Sequence, residues 1–341
     1  MDKKIPTIPF SVLDLATVTE GSTPADAFHN SLDLARKVEF LGYKRFWLAE
    51  HHNMESIASS ATSVLIGYIA GGTSTIRVGS GGIMLPNHAP LIIAEQFGTL
   101  ASIYPGRIDL GLGRAPGTDQ VTARALRRER VETVQDFPND VQELLTYFSV
   151  ENQRSRVRAI PGEGLDIPIW ILGSSIFSAE LAAKMGLPYA FASHFAPTQF
   201  EAALKVYRSN FQPSEHLREP YVMACVNVIA ADTQEEAHHI STSFYQFALG
   251  VIRGTKKPLG KPVKSMEGLW TEYEAAAVQQ MMAYTFIGAQ VALEKELQAF
   301  LNQSQVDELM VVSHIYDHNS RVRSYEILAE LQRERMVNRL R

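Results

Sequence analysis

The sequence lacks the features of several large classes of protein. Its single cysteine, Cys225, excludes a disulfide within the chain and suits a reducing compartment; its apolar neighbours predict a small core residue. No stretch approaches the roughly 18 apolar residues that a membrane-spanning helix needs. Pro6, Pro9 and Asp14 interrupt the N-terminus before a signal peptide could form. We therefore expect a soluble, cytoplasmic protein with no membrane partner.

Excess positive charge is also missing. The formal net charge is -5, and no cluster of Lys and Arg is interleaved with aromatic residues. Because nucleic acids attract basic surfaces, nucleic acid is not an expected partner. Hydrophobic residues make up 45% of the 341 positions, which is enough to fill the core of one large domain or of two ordinary ones.

Short apolar runs alternate with helical patterns along the chain. Eight runs have the length and composition of buried strands: Ile8–Leu13, Phe46–Ala49, Ile76–Ser80, Ile108–Leu112, Pro168–Leu172, Tyr189–Ala192, Tyr221–Ala230 and Asp307–Val312. Strands separated by helices are typical of parallel sheets with helical crossovers. Since eight such units close a barrel, we predict an α/β fold, a (β/α)8 TIM barrel. A doubly wound open sheet is the alternative.

The length exceeds the about 250 residues that such a barrel typically takes. Most of the excess lies between the seventh and eighth predicted strands. We therefore predict a single domain over residues 1–341, with an insertion at about residues 233–306. Within the insertion, Arg253–Lys264 is rich in Gly, Lys and Pro, a composition typical of a mobile lid.

Ionisable residues follow the second predicted strand. Because side chains alternate along a strand, one histidine of Glu50-His51-His52 can enter the barrel mouth while Glu50 and the other histidine share the opposite side. Adjacent histidines do not match helical zinc motifs, in which two histidines four apart face one ion. His194 and His314, at later strand ends, could still complete the site of a metal-dependent hydrolase. A purely structural histidine pair is a further alternative.

Residues suited to a phosphate follow the fourth and fifth predicted strands. Arg114 lies among glycines, but their spacing does not fit a dinucleotide motif and Pro116 interrupts the turn. An arginine at this place suits a phosphate, or it could pair with a carboxylate of a neighbouring loop. Ser174, Ser175 and Ser178 open a helix, where hydroxyls and backbone N–H groups favour an anion.

Four segments, in this order, resemble the bacterial luciferase-like flavin monooxygenases. They are Trp47–His52, Val78–Pro86, Tyr104–Arg114 and Ile169–Ser175. The resemblance implies a (β/α)8 barrel that uses reduced FMN and O2 to oxygenate a small organic substrate through a flavin hydroperoxide. It also implies a separate flavin reductase that supplies reduced FMN, and family precedent favours a homodimer. A deazaflavin-dependent hydride-transfer enzyme and a flavin-binding barrel without turnover are the alternatives.

The resemblance assigns roles to particular residues. His51 matches the family's active-site histidine, and Glu50 and His52 become its supports. The pair that matches the family's cis peptide beside the flavin ring is Gly81 and Gly82, although a loop that needs unusual backbone angles would look the same. The residues that match the phosphate-binding positions are Arg114, Ser174, Ser175 and Ser178. Gly113 stands where luciferases have a reactive cysteine, so luminescence is not expected.

Overall fold

Nine strands alternate with helices along residues 3–126 and 136–337, the parts of the chain that this computed structural model describes. The strands are β1 Phe10–Asp14, β2 Arg45–Leu48, β3 Arg77–Met84, β4 Ile108–Gly113, β5 Ile169–Gly173, β6 Tyr189–Phe191, β7 Val222–Ala230, β8 Thr285–Gly288 and β9 Glu308–Val312. Every pairing between these strands is parallel.

Eight of the strands close a barrel. The sheet runs in chain order from β1 to β6, continues through β7 to β9, and returns from β9 to β1. The closing pairs include Phe10 with Leu309 and Tyr189 with Val222. The predicted (β/α)8 barrel is therefore confirmed, and the open-sheet alternative is wrong because both edges of the sheet are joined.

The ninth strand, β8, was missed by sequence analysis. It pairs with Asn227–Ala230, the C-terminal half of β7, whereas β6 pairs with residues 222–224 of the same strand. Asn227 pairs with both β8 and β9, so β8 lies on the edge of β7 that β6 leaves free. Four residues are too few for a recognisable apolar run, and β8 exists because β7 is nine residues long and extends beyond the barrel.

Helices connect the strands. They are α1 Pro24–Leu41, α2 Thr62–Gly71, α3 Pro90–Ile103, α4 Gln120–Leu126, α5 Phe137–Phe148, α6 Ile176–Met185, α7 Phe200–Asn210, α8 Gln234–Ile252, α9 Glu272–Met281, α10 Gln290–Ser304 and α11 His318–Val337. α1 shows the local signals clearly: Thr23 and Asp26 form a capping box, and Gly42 ends the helix with φ of 91°. None of the described helices is both long and apolar enough to cross a membrane.

Apolar side chains fill the middle of the barrel. Trp47 and Trp170 pack edge to face there, with ring centroids 5.2 Å apart. Met223 and Met310 pack in the same cluster. Cys225 also lies there, buried, and burial raises the pKa of its thiol, so it is a core residue as predicted.

A buried charge cluster closes the N-terminal end of the barrel. Arg45, only 4% exposed, lies between Glu308 and Asp109, with nitrogen-to-oxygen distances of 2.6 Å to each carboxylate. The indole of Trp47 also donates to Asp109 at 3.0 Å. With this end filled, the C-terminal end remains for a ligand, as in other barrels of this type.

The insertion lies over the C-terminal end of the barrel. The backbone of Leu259 exchanges hydrogen bonds with Val18 and Glu20, in the connection after β1. Lys256 forms an ion pair with Asp119, in the connection after β4, at 3.1 Å. The predicted lid segment, residues 253–264, therefore contacts two other loops of the barrel mouth; its mobility stays a prediction.

Candidate active site

The carboxylate of Glu50 is the centre of a buried hydrogen-bond cluster. His52 Nε2 lies 2.8 Å from Oε1, and His88 Nε2 lies 2.9 Å from the same oxygen. The backbone N–H of Met84 donates to Oε2 at 3.0 Å, and the amide of Asn87 donates to Oε1 at 3.3 Å. Because an ionised carboxylate only accepts hydrogen bonds, both histidines carry a proton on Nε2.

The surroundings of Glu50 keep it ionised. Burial alone raises its pKa, but the hydrogen bonds and charge of His88, together with those of His52 and Met84, hold the pKa below its usual 4.5. The anion is 1% exposed and directly precedes His51 in the chain. Glu50 therefore anchors the segment after β2 that carries His51.

His51 points away from this cluster, as strand alternation predicts. Its Nδ1 lies 3.4 Å from the carbonyl oxygen of Gly117, so Nδ1 carries the proton and Nε2 is left as an acceptor. Burial lowers the pKa of His51, and the neighbouring His52 lowers it further, while the Gly117 carbonyl and Glu50 raise it. The net effect is a pKa below 6.5 and a neutral ring at physiological pH.

The Gly81–Gly82 peptide bond in β3 is cis, the geometry that the family resemblance implied. A Cβ atom on Gly81 would lie 2.7 Å from Cδ1 of Leu13, and one on Gly82 would lie 2.7 Å from the carbonyl oxygen of Gly111. The backbone of Gly111 therefore excludes a side chain at Gly82, whereas a side chain at Gly81 would require Leu13 to shift, whether or not a ligand binds beside them.

The predicted phosphate-binding residues are brought together at the start of α6. The guanidinium carbon of Arg114 lies 4.2 Å from the ring centroid of Phe177, in the first turn of that helix. Within the described residues, Arg114 pairs with no carboxylate. Ser175 is the N-cap residue, yet its side chain makes no capping hydrogen bond, and Ser174 beside it is also partly exposed. These groups fit an anionic phosphate.

Ser178 differs from Ser174 and Ser175 because its hydroxyl is already hydrogen-bonded within the protein. Its hydroxyl is buried, donates to the carbonyl of Ser175 at 2.7 Å and lies 3.0 Å from the hydroxyl of Tyr189. Gly173 leaves the space for it, since a Cβ there would lie 2.0 Å from Ser178 Oγ. The hydroxyl is thus occupied within the protein, and what Ser178 can offer to an anion is its backbone N–H in the first turn of α6.

Comparison with known proteins identifies the relationship. A family model described as luciferase-like monooxygenase matches residues 8–314. The chain belongs to the luciferase-like monooxygenase family. A protein of Escherichia coli K12 with that name is 51% identical over 96% of this chain and 98% of its own length. The uncharacterised protein YvbT of Bacillus subtilis is 56% identical over 95% of this chain and 97% of its own.

Other relatives of this luciferase-like chain are more distant. The N-acetyl-S-alkylcysteine monooxygenase of Bacillus subtilis is 31% identical over 95% of the chain and 98% of its own length. The crystal structure of apo-MsnO8 superposes with a TM-score of 0.85 at 33% identity, covering 95% of this chain and 98% of that one. An FMN complex of a type II Baeyer-Villiger monooxygenase, TM-score 0.72, and an F420-dependent secondary alcohol dehydrogenase, TM-score 0.70, are 16% and 14% identical and share the fold alone.

Two further imidazoles of the luciferase-like chain lie near His51. Burial lowers the pKa of His194 to about 3, with smaller effects of His314 and His51 in the same direction. Burial likewise lowers the pKa of His314 to about 4; Arg321 and His51 lower it further, while Asp14 raises it. Within the described residues no three His, Cys, Asp or Glu side chains could hold a metal ion, so the metal-hydrolase alternative has no ligand set there.

Sequence analysis of this luciferase-like chain missed several residues of the site. His88 and Asn87, which bind Glu50, lie in the connection between β3 and α3, and Gly117 lies in the connection after β4. One local signal was available: Asn87 and His88 lie between Pro86 and Pro90, shortly after the glycines of β3. Nothing local connects Gly117 to His51, because that contact depends on how β2 and β4 are arranged around the barrel.

Proposed function

We propose that this chain is an FMN-dependent monooxygenase that uses reduced FMN and O2 to oxygenate a small organic substrate. Family membership supports a monooxygenase reaction. The main support for FMN as the cofactor is the position of Arg114 against the first turn of α6. A guanidinium, two available hydroxyls and helix N–H groups suit a phosphate monoester such as that of FMN. When bound, reduced FMN supplies the oxygen-activating chemistry.

Each residue of the site has a proposed part in holding the flavin. Arg114, Ser174 and Ser175 bind the phosphate with their side chains, and Ser178 contributes its backbone N–H. Gly81 and Gly82 form the wall beside the flavin ring. The contact of Arg114 with α6 and the occupied hydroxyl of Ser178 support the phosphate roles, and the role of Gly81 and Gly82 rests on the family resemblance.

His51 is the proposed proton-handling residue. Its neutral ring holds a proton on Nδ1 and accepts one at Nε2, which suits proton transfer near neutral pH. Glu50 and His52 secure the strand end that carries it. A cavity of about 410 Å³, lined by His51, Met54 and Lys256 among others, adjoins the ring and has the size of a small-molecule site. Lys256 of the insertion lines one side of this cavity, which is open to solvent on another.

The partners follow from the proposal. A separate flavin reductase would supply reduced FMN in the cytoplasm. A second copy of the chain is the proposed partner for the apolar side chains exposed on α2 and α3, since Val64 is 69% exposed and Ile103 is 60% exposed. Analytical ultracentrifugation tests this pairing, and a purely monomeric protein at micromolar concentration would refute it.

The decisive experiment compares cofactors and then measures turnover. Anaerobic titration with reduced FMN, reduced riboflavin and reduced F420 should give the tightest binding to FMN. Oxygen uptake should then exceed the rate with free flavin, and mass spectrometry with ¹⁸O2 should find label in an organic product. Preference for F420 without oxygen uptake would favour the hydride-transfer alternative, and FMN binding without product would favour a barrel without turnover.

Thioethers are the first substrates to test. The 31% identical relative is named an N-acetyl-S-alkylcysteine monooxygenase, and we propose a substrate of comparable size and polarity for this chain. If product forms only with substrates of another class, the proposed substrate class is wrong, but the proposed cofactor is unaffected.

A further inference from the structure

Among the buried polar atoms that have no hydrogen-bond partner within the described residues, three belong to neighbouring side chains at the C-terminal end of the barrel. They are Oδ1 of Asn227, Nδ1 of His194 and Nδ1 of His314. Asn227 is 1% exposed and His314 is 4% exposed. Because buried polar groups almost always have a partner, a cluster of three that lack one marks a place where something else binds.

Strand alternation directs Asn227 into the barrel, His314 follows two residues after the end of β9, and His194 lies in the turn after β6. Met223 and Cys225 of β7 belong to the interior cluster, and Asn227 continues the same face. Met310 and Val312 of β9 also belong to that cluster, and His314 continues their face. The polar atoms therefore lie above the apolar layer, at the level to which the same alternation brings His51 after Trp47 and Ala49.

The protein holds the first of these groups rigidly. The amide nitrogen of Asn227 donates to the carbonyl oxygen of His194 at 2.6 Å and to Oγ1 of Thr285 at 3.2 Å. Because a carbonyl only accepts, the nitrogen must face it, and Oδ1 is left as a free acceptor. Thr285 is the first residue of β8, so the strand that sequence analysis missed orients this amide.

The insertion also orients His314. Its ring lies nearly parallel to Phe244 and Phe247 of α8, with interplanar angles of 8° and 17° and centroid distances of 4.9 and 5.0 Å. Arg321 lies nearby but donates to Asp14 at 2.7 Å, so the charges of that pair offset each other. Both imidazoles are neutral at physiological pH, and each offers one N–H and one acceptor nitrogen.

We propose that Asn227, His194 and His314 form a subsite that binds an amide group of the organic substrate. The amide N–H donates to Oδ1 of Asn227, and its carbonyl oxygen accepts from the N–H of His314. A neutral group that both donates and accepts satisfies these atoms, whereas a carboxylate has no donor for Oδ1. The inference rests on the proposed monooxygenase function, for which it places the substrate beside His51.

Two other occupants would satisfy the same atoms. The pyrimidine edge of the flavin ring also presents an N–H between carbonyl groups, and internal water both donates and accepts. Variants at Asn227 and His314 separate these cases, because each occupant predicts a different set of affinities.

His314→Phe keeps the ring and its contacts with Phe244 and Phe247 but removes both nitrogens. Asn227→Leu removes the acceptor, and Met310→Leu, on the same face of β9 in the apolar layer, is the matched control.

The first probe is N-acetyl-S-methylcysteine, whose N-acetyl amide occurs in the substrate named for the 31% identical relative. The second is its analogue with acetoxy in place of acetamido, which keeps the carbonyl oxygen but lacks the N–H. Binding of both to the protein with oxidised FMN is measured by calorimetry, so that the result does not require turnover. We expect the wild-type protein and Met310→Leu to prefer the amide about tenfold, as for one hydrogen bond to a buried acceptor. Asn227→Leu should lose that preference, whereas His314→Phe should keep it and bind both probes about tenfold more weakly. The affinity of both variants for FMN and riboflavin should be unchanged.

Several results would overturn the proposal. Equal binding of the two probes to the wild-type protein would do so. Loss of FMN and riboflavin affinity in both variants would assign the subsite to the flavin ring, and wild-type affinity of both folded variants for both probes would assign it to internal water only. If Asn227→Leu fails to fold, as circular dichroism would reveal, the affinity of His314→Phe for the two probes decides, and wild-type affinity for both overturns the proposal. Selective amide binding without oxygenated product would leave the subsite intact and refute the proposed function instead.

Discussion

Nε2 of His88 lies 2.9 Å from Oε1 of Glu50, although 38 residues separate them in the chain. This contact joins the end of β2 to the connection that follows β3, and it holds a carboxylate beside the proposed proton-handling His51. The anion is buried and accepts hydrogen bonds from four donors, so its removal has consequences for stability that can be measured.

Glu50→Gln should destabilise the fold. The pKa of Glu50 is held below 4.5, so its carboxylate contributes stability at neutral pH that disappears as pH falls through the lowered value. We expect the free energy of unfolding to fall by about 2 kcal/mol at pH 7 and the difference from wild type to shrink below pH 4.5. Urea titrations across pH measure this, with the exposed Glu55→Gln as a control that should behave like wild type.

Loss of the His51 ring should uncouple oxygen consumption from product formation. His51→Asn retains a donor near the Gly117 carbonyl but removes the acceptor Nε2, and His51→Ala removes both. We expect product to fall about 100-fold in each, peroxide yield to rise, and FMN affinity to stay close to wild type. Wild-type activity should fall only at pH below 6.5, as the ring protonates. Unchanged peroxide yield in both variants would contradict the role of His51.

Substitution of Arg114 should weaken FMN more than riboflavin, because riboflavin lacks the phosphate. We expect Arg114→Ala to lower the affinity for FMN at least about tenfold and to leave riboflavin nearly unaffected. Arg114→Lys keeps the charge but not the planar contact with Phe177, so it should recover part of the affinity. Fluorescence titration gives both constants, and equal losses for the two flavins would remove Arg114 from the phosphate site.

Gly117→Ala should displace the backbone carbonyl to which His51 is hydrogen-bonded, although the substitution does not alter His51 itself. Gly117 has φ of +62°, and a Cβ there would lie 2.9 Å from the carbonyl oxygen of Glu50. We expect the segment to shift, the hydrogen bond to Nδ1 of His51 to weaken, and kcat to fall about tenfold with FMN affinity retained. Gly106→Ala is the matched control, since Gly106 has φ of +72° but no atom within 4 Å of an added Cβ. Equal activity of the two variants would argue against this role of Gly117.

Glu308→Gln should destabilise the protein from the opposite end of the barrel. It leaves the buried Arg45 with one carboxylate partner, and breaking such a cluster costs about 3–5 kcal/mol. Lys44→Met removes the partly exposed partner of Glu308 and should cost less than about 1 kcal/mol. Thermal unfolding measures both, and the FMN affinity of the folded Glu308→Gln protein should equal that of wild type.

Local spacing determined most of the barrel. Apolar runs of strand length located the eight barrel strands to within a few residues, because a strand buried on both faces needs an almost continuous apolar segment. The same period of two predicted Glu50 and His52 on one side and His51 on the other. β2 ends at Leu48, and beyond it His52 contacts Glu50 whereas His51 contacts Gly117. The candidate site is proposed at the strand ends, since parallel strands bring those ends to one face.

Contacts between distant segments needed the tertiary structure. His88 on Glu50, Gly117 on His51 and Thr285 on Asn227 join residues separated by 38, 66 and 58 positions. Such pairs depend on strand register and on closure of the sheet, which no local period encodes. β8 shows this most clearly, because its four residues become a strand only where the extended β7 offers an unpaired edge. The sequence alone therefore determined the barrel and the strand ends at which the site is proposed, and tertiary packing decided which distant side chains contact one another there.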